Sequence, residues 1–140
     1  MLDHIDDLDT DYDVIMMSHI IEHLSNGENV IDELSKKVKI GGEMYIEYPS
    51  IKSLNLPHMK GTLNFFDDNT HIRLYSLIEL SNLLIKNGFI IERAGYRRDI
   101  IRRIINPFGI IIYFIIGKPI ASLLWDYLDF AEFIYAKKVK

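Results

Sequence analysis

The chain has 140 residues, 49% hydrophobic and 26% charged, which suits one folded domain with its own core and not a disordered segment. It has no cysteine, and this excludes a disulfide framework, a thiolate metal site and a cysteine nucleophile. The net charge of −4 is unevenly divided: residues 1–70 hold 5 Lys and Arg against 14 Asp and Glu, and residues 71–140 hold 11 against 6. Such polarity favours association of two halves or of two chains. The basic residues are not interleaved with aromatic ones as in single-strand binders, so no nucleic-acid partner is expected. Residues 1–13 are acidic where a signal peptide needs a basic and then an apolar segment, and a cytoplasmic location is the expectation.

In chain order, Tyr12–Met17 (YDVIMM) predicts a short strand buried on both faces. Val30, Ile31, Leu34 and Val38 repeat at helical spacing and predict an amphipathic helix from Asn29 to Val38. Gly41 and Gly42 read as turn residues, followed by a second strand, Glu43–Tyr48, that Pro49 ends. Residues 50–72 have no period and contain Pro57 and Gly61; a loop of this length is usually functional or mobile. A second amphipathic helix follows Ser76, an N-cap with Glu79 three residues on, and stops at Gly88. FIIERAGY predicts a third strand and residues 131–138 a fourth. Strand and helix alternate as in an α/β sheet with right-handed crossovers, where ligands bind beyond the C-terminal strand ends. Ser18 and His19 after the first strand, and Pro49 and Ser50 after the second, are thereby expected on one rim.

DYDVIMMSHIIEHL…VIDELSKKVKIGGEMYIEYPS resembles the second half of the class I S-adenosylmethionine-dependent methyltransferases: an apolar strand after an aromatic–Asp pair, EH, a helix, K-x-GG, and a strand ending near Pro. FFDDNTHIRLYSLIELSNLLIKNGFIIE is similar to a further segment of many members acting on sugars, lipids or other small molecules. The likeness covers residues 3 to about 96 and returns at 131–138. It implies an α/β fold, the last strands of a seven-stranded Rossmann-like sheet with helices on both faces and an apolar helical insertion before the final strand. It implies S-adenosylmethionine as cofactor and a small-molecule acceptor. No G-x-G pair occurs anywhere in the chain, so the glycine-rich cofactor loop of the family is not in it. A single truncated domain, 1–140, is the expectation, with a homodimer or a complementing chain as partner.

Methyl transfer needs positioning and often a base for the acceptor's proton, a task suited to histidine. His19 is the first candidate and His23 the second; the alternative for His23, with Glu22, is a structural hydrogen bond at the helix start. By resemblance Asp6, Asp7, Ser18 and His19 approach the cofactor, and Tyr48, His71 and Arg73 the acceptor. Arg73 could equally pair with Asp67 or Asp68, and Tyr48 could be packing. No HExxH spacing is present and no metal is expected.

Residues 97–130 form an apolar segment led by Arg97, Arg98, Arg102 and Arg103. Gly109–Gly117 is too short to span a bilayer, which takes about 20 apolar residues. Helical cover or a dimer face is favoured, with contact of residues 104–125 with a membrane surface as the alternative. Two functions stand: methyl transfer to a small acceptor, as the C-terminal half of a methyltransferase, or a non-catalytic remnant that dimerises or docks on a membrane.

Overall fold

The computed structural model describes Ile5 and residues 8–140. The first apolar run forms β1 (Tyr12–Ser18). In α1 (Gly27–Lys37), Val30 and Ile31 point into the core and Leu34 packs at its margin. The helix passes directly into β2 (Val38–Pro49), which pairs parallel to β1. The predicted glycine turn is instead a bulge inside β2. Pairing jumps from Tyr12–Val38 to Val14–Glu43, with Gly41 at a φ of 83°. A Cβ on Gly42 would stand 2.9 Å from Tyr12 O, so the absent side chain lets the two backbones close.

α2 (Leu77–Lys86) has the expected reciprocal cap: Glu79 N donates to Ser76 Oγ and Ser76 N to Glu79 Oε2. One turn apart, Leu80 and Leu84 bury completely. β3 (Phe89–Tyr96) follows, then α3 (Ile100–Ile115) and α4 (Ala121–Leu128), and finally β4 (Ala131–Lys138). The last strand inserts antiparallel between β2 and β3, giving the order β1-β2-β4-β3.

Strand alternation sends Met44, Ile46 and Tyr48 of β2 and Ile134 and Ala136 of β4 into one core with α1 and α2. Helices are expected on both faces, yet α1 and α2 lie together on this one. On the other face Val14 is 54% and Met16 69% exposed, and the start of α3 approaches it, its cap Asp99 and Arg102 lining a hollow with Tyr45 and Glu47. The predicted burial of β1 on both faces therefore fails: among the described strands β1 pairs with β2 alone and stands at the sheet edge.

Within the long stretch 50–72 two side chains gather backbone groups. Asp67 Oδ2 accepts from the backbone N–H groups of Met59, Leu63 and Asn64 at 3.0, 2.9 and 2.8 Å. Asn64 Nδ2 donates to the carbonyls of Leu54 and Leu56. Three backbone donors and the ring of His58 hold the Asp67 carboxyl far below the usual carboxylate range against the opposing effect of its burial.

The apolar segment 97–130 contains α3 and α4. Asp99 caps α3 by accepting from Arg102 N at 3.0 Å. Pro107 lies inside α3 and has no N–H for the carbonyl of Arg103; the Tyr127 hydroxyl donates to that carbonyl in its place. Asn106 Nδ2 donates to Leu123 O at 2.8 Å, tying α3 to α4. Among the described residues no helix is long and apolar enough to cross a membrane.

Candidate active site at the strand ends

The rim is built where β1 and β2 run out. After Ser18 the chain turns at His19, whose φ of 51° is left-handed, a conformation that costs a residue with a Cβ about 1–3 kcal/mol. Hydrogen bonds fix the turn. His19 N donates to Glu47 O at 2.9 Å, extending the β1–β2 ladder. The imidazole lies between two carboxylates, Nδ1 3.2 Å from Glu22 Oε1 and Nε2 3.1 Å from Glu47 Oε1. Burial alone would push the imidazole down; the bonds to Glu22 and Glu47 outweigh it and raise its pKa to about 9. At neutral pH both ring nitrogens therefore carry protons and donate.

Glu47 moves in the opposite sense. Burial favours its neutral form, but His19, the Tyr45 hydroxyl and Arg97 bring it down to about 2. Arg97 Nη1 donates to Glu47 Oε1 at 2.9 Å, while Nε and Nη2 grip both oxygens of the buried Asp126, each at 3.1 Å. One charged network thus joins β1, β2, the end of β3 and α4. Beside it Asp129, the left-handed C-cap of α4, is gripped by Arg98 and Lys52, which bring its carboxyl down to about 2.

Above this network lies a cavity of about 250 Å³, lined by His19, Glu22, His23, Asp68, His71 and Trp125 among others. The Trp125 ring stacks on Phe130 at 4.5 Å and tilts over His19 at 4.9 Å, and its Nε1 donates to Thr62 O at 2.7 Å. The segment before α2 is drawn in because Ile72 N and Arg73 N both donate to Glu22 O. That places His71 against His23, ring to ring at 4.8 Å.

Of the residues singled out in the sequence, His19, His23 and His71 meet at this cavity. Ser18 is exposed at the end of β1, one residue before the turn. Tyr48 is fully buried in the helix-covered core and is not brought to the cavity. Arg73 also points elsewhere: it pairs with Glu28 at 2.8 Å and with Glu79, and lies over the Tyr75 ring, so neither Asp67 nor Asp68 is its partner. Asp6 and Asp7 lie outside the described residues. Sequence inspection missed Glu47, which looks like an ordinary alternating strand residue, and Trp125 and Phe130, which lie more than a hundred positions from His19.

The parallel β1–α1–β2 unit, the antiparallel β4 inside the sheet and a polar rim at the strand ends are accompanied by a direct match. A profile described as "Methyltransferase domain" matches residues 1–94. The chain belongs to this methyltransferase-domain family. A SAM-dependent methyltransferase from Archaeoglobus fulgidus superposes with a TM-score of 0.62 at 20% identity, covering 98% of this chain and 64% of that one. A Haloferax volcanii methyltransferase, solved in complex with the Trm112 methyltransferase activator, gives 0.63 at 13% identity, covering 97% and 59%. Haemonchus contortus phosphoethanolamine N-methyltransferase 2, in complex with S-adenosyl-L-methionine, gives 0.60 at 16%, covering 92% and 34%. The chain thus spans just under two thirds of the Archaeoglobus protein, and these likenesses establish the fold. No match was found among curated proteins.

Proposed function

We propose that the chain supplies the acceptor side of an S-adenosylmethionine-dependent methyltransferase acting on a small acceptor such as a sugar, lipid or metabolite. The supporting observation is the cavity beyond the C-terminal ends of the parallel strands β1 and β2, in a chain of the methyltransferase-domain family. At about 250 Å³ it is smaller than the roughly 300–1,000 Å³ typical of a whole ligand pocket, so it suits one end of a cofactor or a small acceptor. Trp125 and the Glu22 carboxylate suit a cationic sulfonium neighbour. S-adenosylmethionine, when bound, supplies an electrophilic methyl group; the residues assigned to its wall are Ser18 and His19.

The two candidate bases differ in what they have free. Both ring nitrogens of His19 are taken by carboxylates, so its part is to hold the wall and donate hydrogen bonds. His23, which lines the cavity, donates from Nδ1 to Thr70 O and keeps Nε2 without a hydrogen bond among the described residues. It is the better placed of the two to accept an acceptor's proton. His71 lines the acceptor side. The outer edge of β1, unpaired among the described strands, supports a complementing chain or second copy alongside it.

Calorimetric titration with S-adenosylmethionine and S-adenosylhomocysteine tests the assignment. Saturable binding of both supports it. His23→Ala should then lower turnover with little loss of cofactor affinity.

A second function, a docking module without catalysis, draws support from α3, where Ile104, Phe108, Ile111, Phe114 and Ile115 are exposed behind four arginines. Absence of any heat with either cofactor form, together with binding to lipid vesicles or self-association, would favour it.

A further inference from the structure

Three ligand-type side chains converge on the cavity floor. Glu22, His23 and His71 each offer one ligand atom, and these atoms lie within 4.8 Å of one another. The histidines are oriented alike. His23 donates from Nδ1 to Thr70 O at 3.1 Å, and Thr70 Oγ1 stands 2.9 Å from the same nitrogen. His71 donates from Nδ1 to Phe65 O at 2.6 Å. A backbone carbonyl therefore fixes the tautomer of each ring and leaves the Nε2 lone pair free, the arrangement typical of metal-binding histidines. Thr70 is itself held by Asp68 through its N–H and hydroxyl, so the support extends one layer further out.

Glu22 provides an independent observation. The residue is 1% exposed, its Oε1 accepts from His19, and its Oε2 is buried with no hydrogen-bond partner. A buried carboxylate oxygen without a partner is costly. Here the unsatisfied oxygen belongs to a residue lining the same cavity as the two free imidazole nitrogens. A cation among them would bridge both imidazoles and the Glu22 carboxylate, whose Oε1 stands 4.0 Å from His23 Nε2.

We propose that Glu22, His23 and His71 form a site for one divalent first-row transition ion, with zinc or manganese as the class. Two imidazoles and a carboxylate match such ions better than magnesium or calcium, which take mainly oxygen ligands. Three protein ligands leave a position open toward the cavity, as in His₂Glu zinc sites. Asp68 is the next oxygen, its Oδ2 4.0 Å from His71 Nε2. Ligand atoms on a tetrahedral zinc lie roughly 3.4 Å apart, so the cluster must contract on binding; His23, 31% exposed in its side chain, has room to move. This departs from the sequence-based expectation of no metal. With the ion bound, His23 Nε2 is a ligand and no longer the base described above; the open position would then take, and the ion acidify, an oxygen of a hydroxyl- or carboxylate-bearing acceptor, and that extension rests on the methyltransferase assignment.

The test is on the full chain, stripped with chelator and titrated with ZnCl₂ and MnCl₂ by calorimetry, with bound metal counted after equilibrium dialysis. One ion per chain is expected, with a higher thermal midpoint. His23→Gln, at a partly exposed position, should weaken binding at least tenfold while circular dichroism stays native; Glu22→Gln should do the same. His58→Gln, outside the cluster, should bind as the parent does. Should His23→Gln fail to fold, Co²⁺ substituted into the parent chain must show the visible bands of an imidazole-ligated ion. No ion retained above the dialysis blank, or equal affinity in the parent and folded His23→Gln, overturns the site. Neither outcome depends on cofactor binding, so this site and the methyltransferase assignment can fail separately.

Discussion

The rim and helix α3 invert the usual distribution of side chains in opposite directions. At the rim, the buried carboxylates Glu47 and Asp126 are joined by the half-buried Arg97 through hydrogen bonds of 2.9–3.1 Å from distant parts of the chain. Along α3, isoleucines and phenylalanines stand in water, with Phe114 81% exposed. Buried charge needs every partner in place, whereas exposed apolar surface costs the monomer little and has its effect when something covers it. The two regions should therefore respond very differently to single substitutions: the rim in stability, α3 in association.

The largest expected effect is at the centre of the rim. Arg97→Ala strips the counter-charge from Glu47 and Asp126 together and should cost about 3–5 kcal/mol, measured by urea unfolding. A loss below that of a surface substitution would mean that the network is looser than its distances indicate. Asp67→Ala, at the anchor of the 50–72 stretch, leaves three backbone donors without their acceptor and should cost about 1–3 kcal/mol. The same variant should expose amides of residues 59–64 to faster hydrogen exchange, while those of α1 keep their protection.

Acid should act on the rim by the same logic. Asp129 and Glu47 both titrate at about 2 in the folded chain, below their ordinary values of 3.8 and 4.5. Their folded forms bind fewer protons than the unfolded chain in that interval. The stability they contribute is present above about pH 4.5 and is lost as pH falls toward 2. Trp125, the sole tryptophan and a member of the rim, should report this as a red shift in emission over that window. An emission maximum that stays constant to pH 2 would count against the charge pairing. The smallest expected change is on α3: Ile111→Ser or Phe114→Ser should alter stability by no more than about 0.5 kcal/mol. The same changes should reduce any self-association or vesicle binding seen in sedimentation. Large destabilisation by either would show that α3 packs more closely than its exposure implies.

Local signals in the sequence lead directly to the matching elements. The Ser76–Glu79 pair and Gly88 bracket α2, and alternating apolar residues mark β3 and β4, because capping and strand period depend on neighbours alone. The place of β4 between β2 and β3 depends on pairing partners tens of residues away and leaves no local trace. Tyr48, weighed as pocket wall or as packing, shares parity with Met44 and Ile46, so the alternation of β2 sends it into the core. The rim histidines were visible as a cluster after an apolar strand. Their partners were not, since Glu47, Arg97 and Trp125 reach them from three other elements.

The position of β4 has a consequence for how the molecule comes into being. β2 and β3 never touch as neighbours; each waits for residues 131–138 to slide between them. During synthesis the helices and first two strands can gather early, but the sheet stays split until its last segment has left the ribosome. Such late, long-range closure slows folding and keeps strand edges open meanwhile. Ending the chain at Phe130, before β4, should accordingly leave a β1–β2 pair and an unpartnered β3 in place of a slightly smaller sheet.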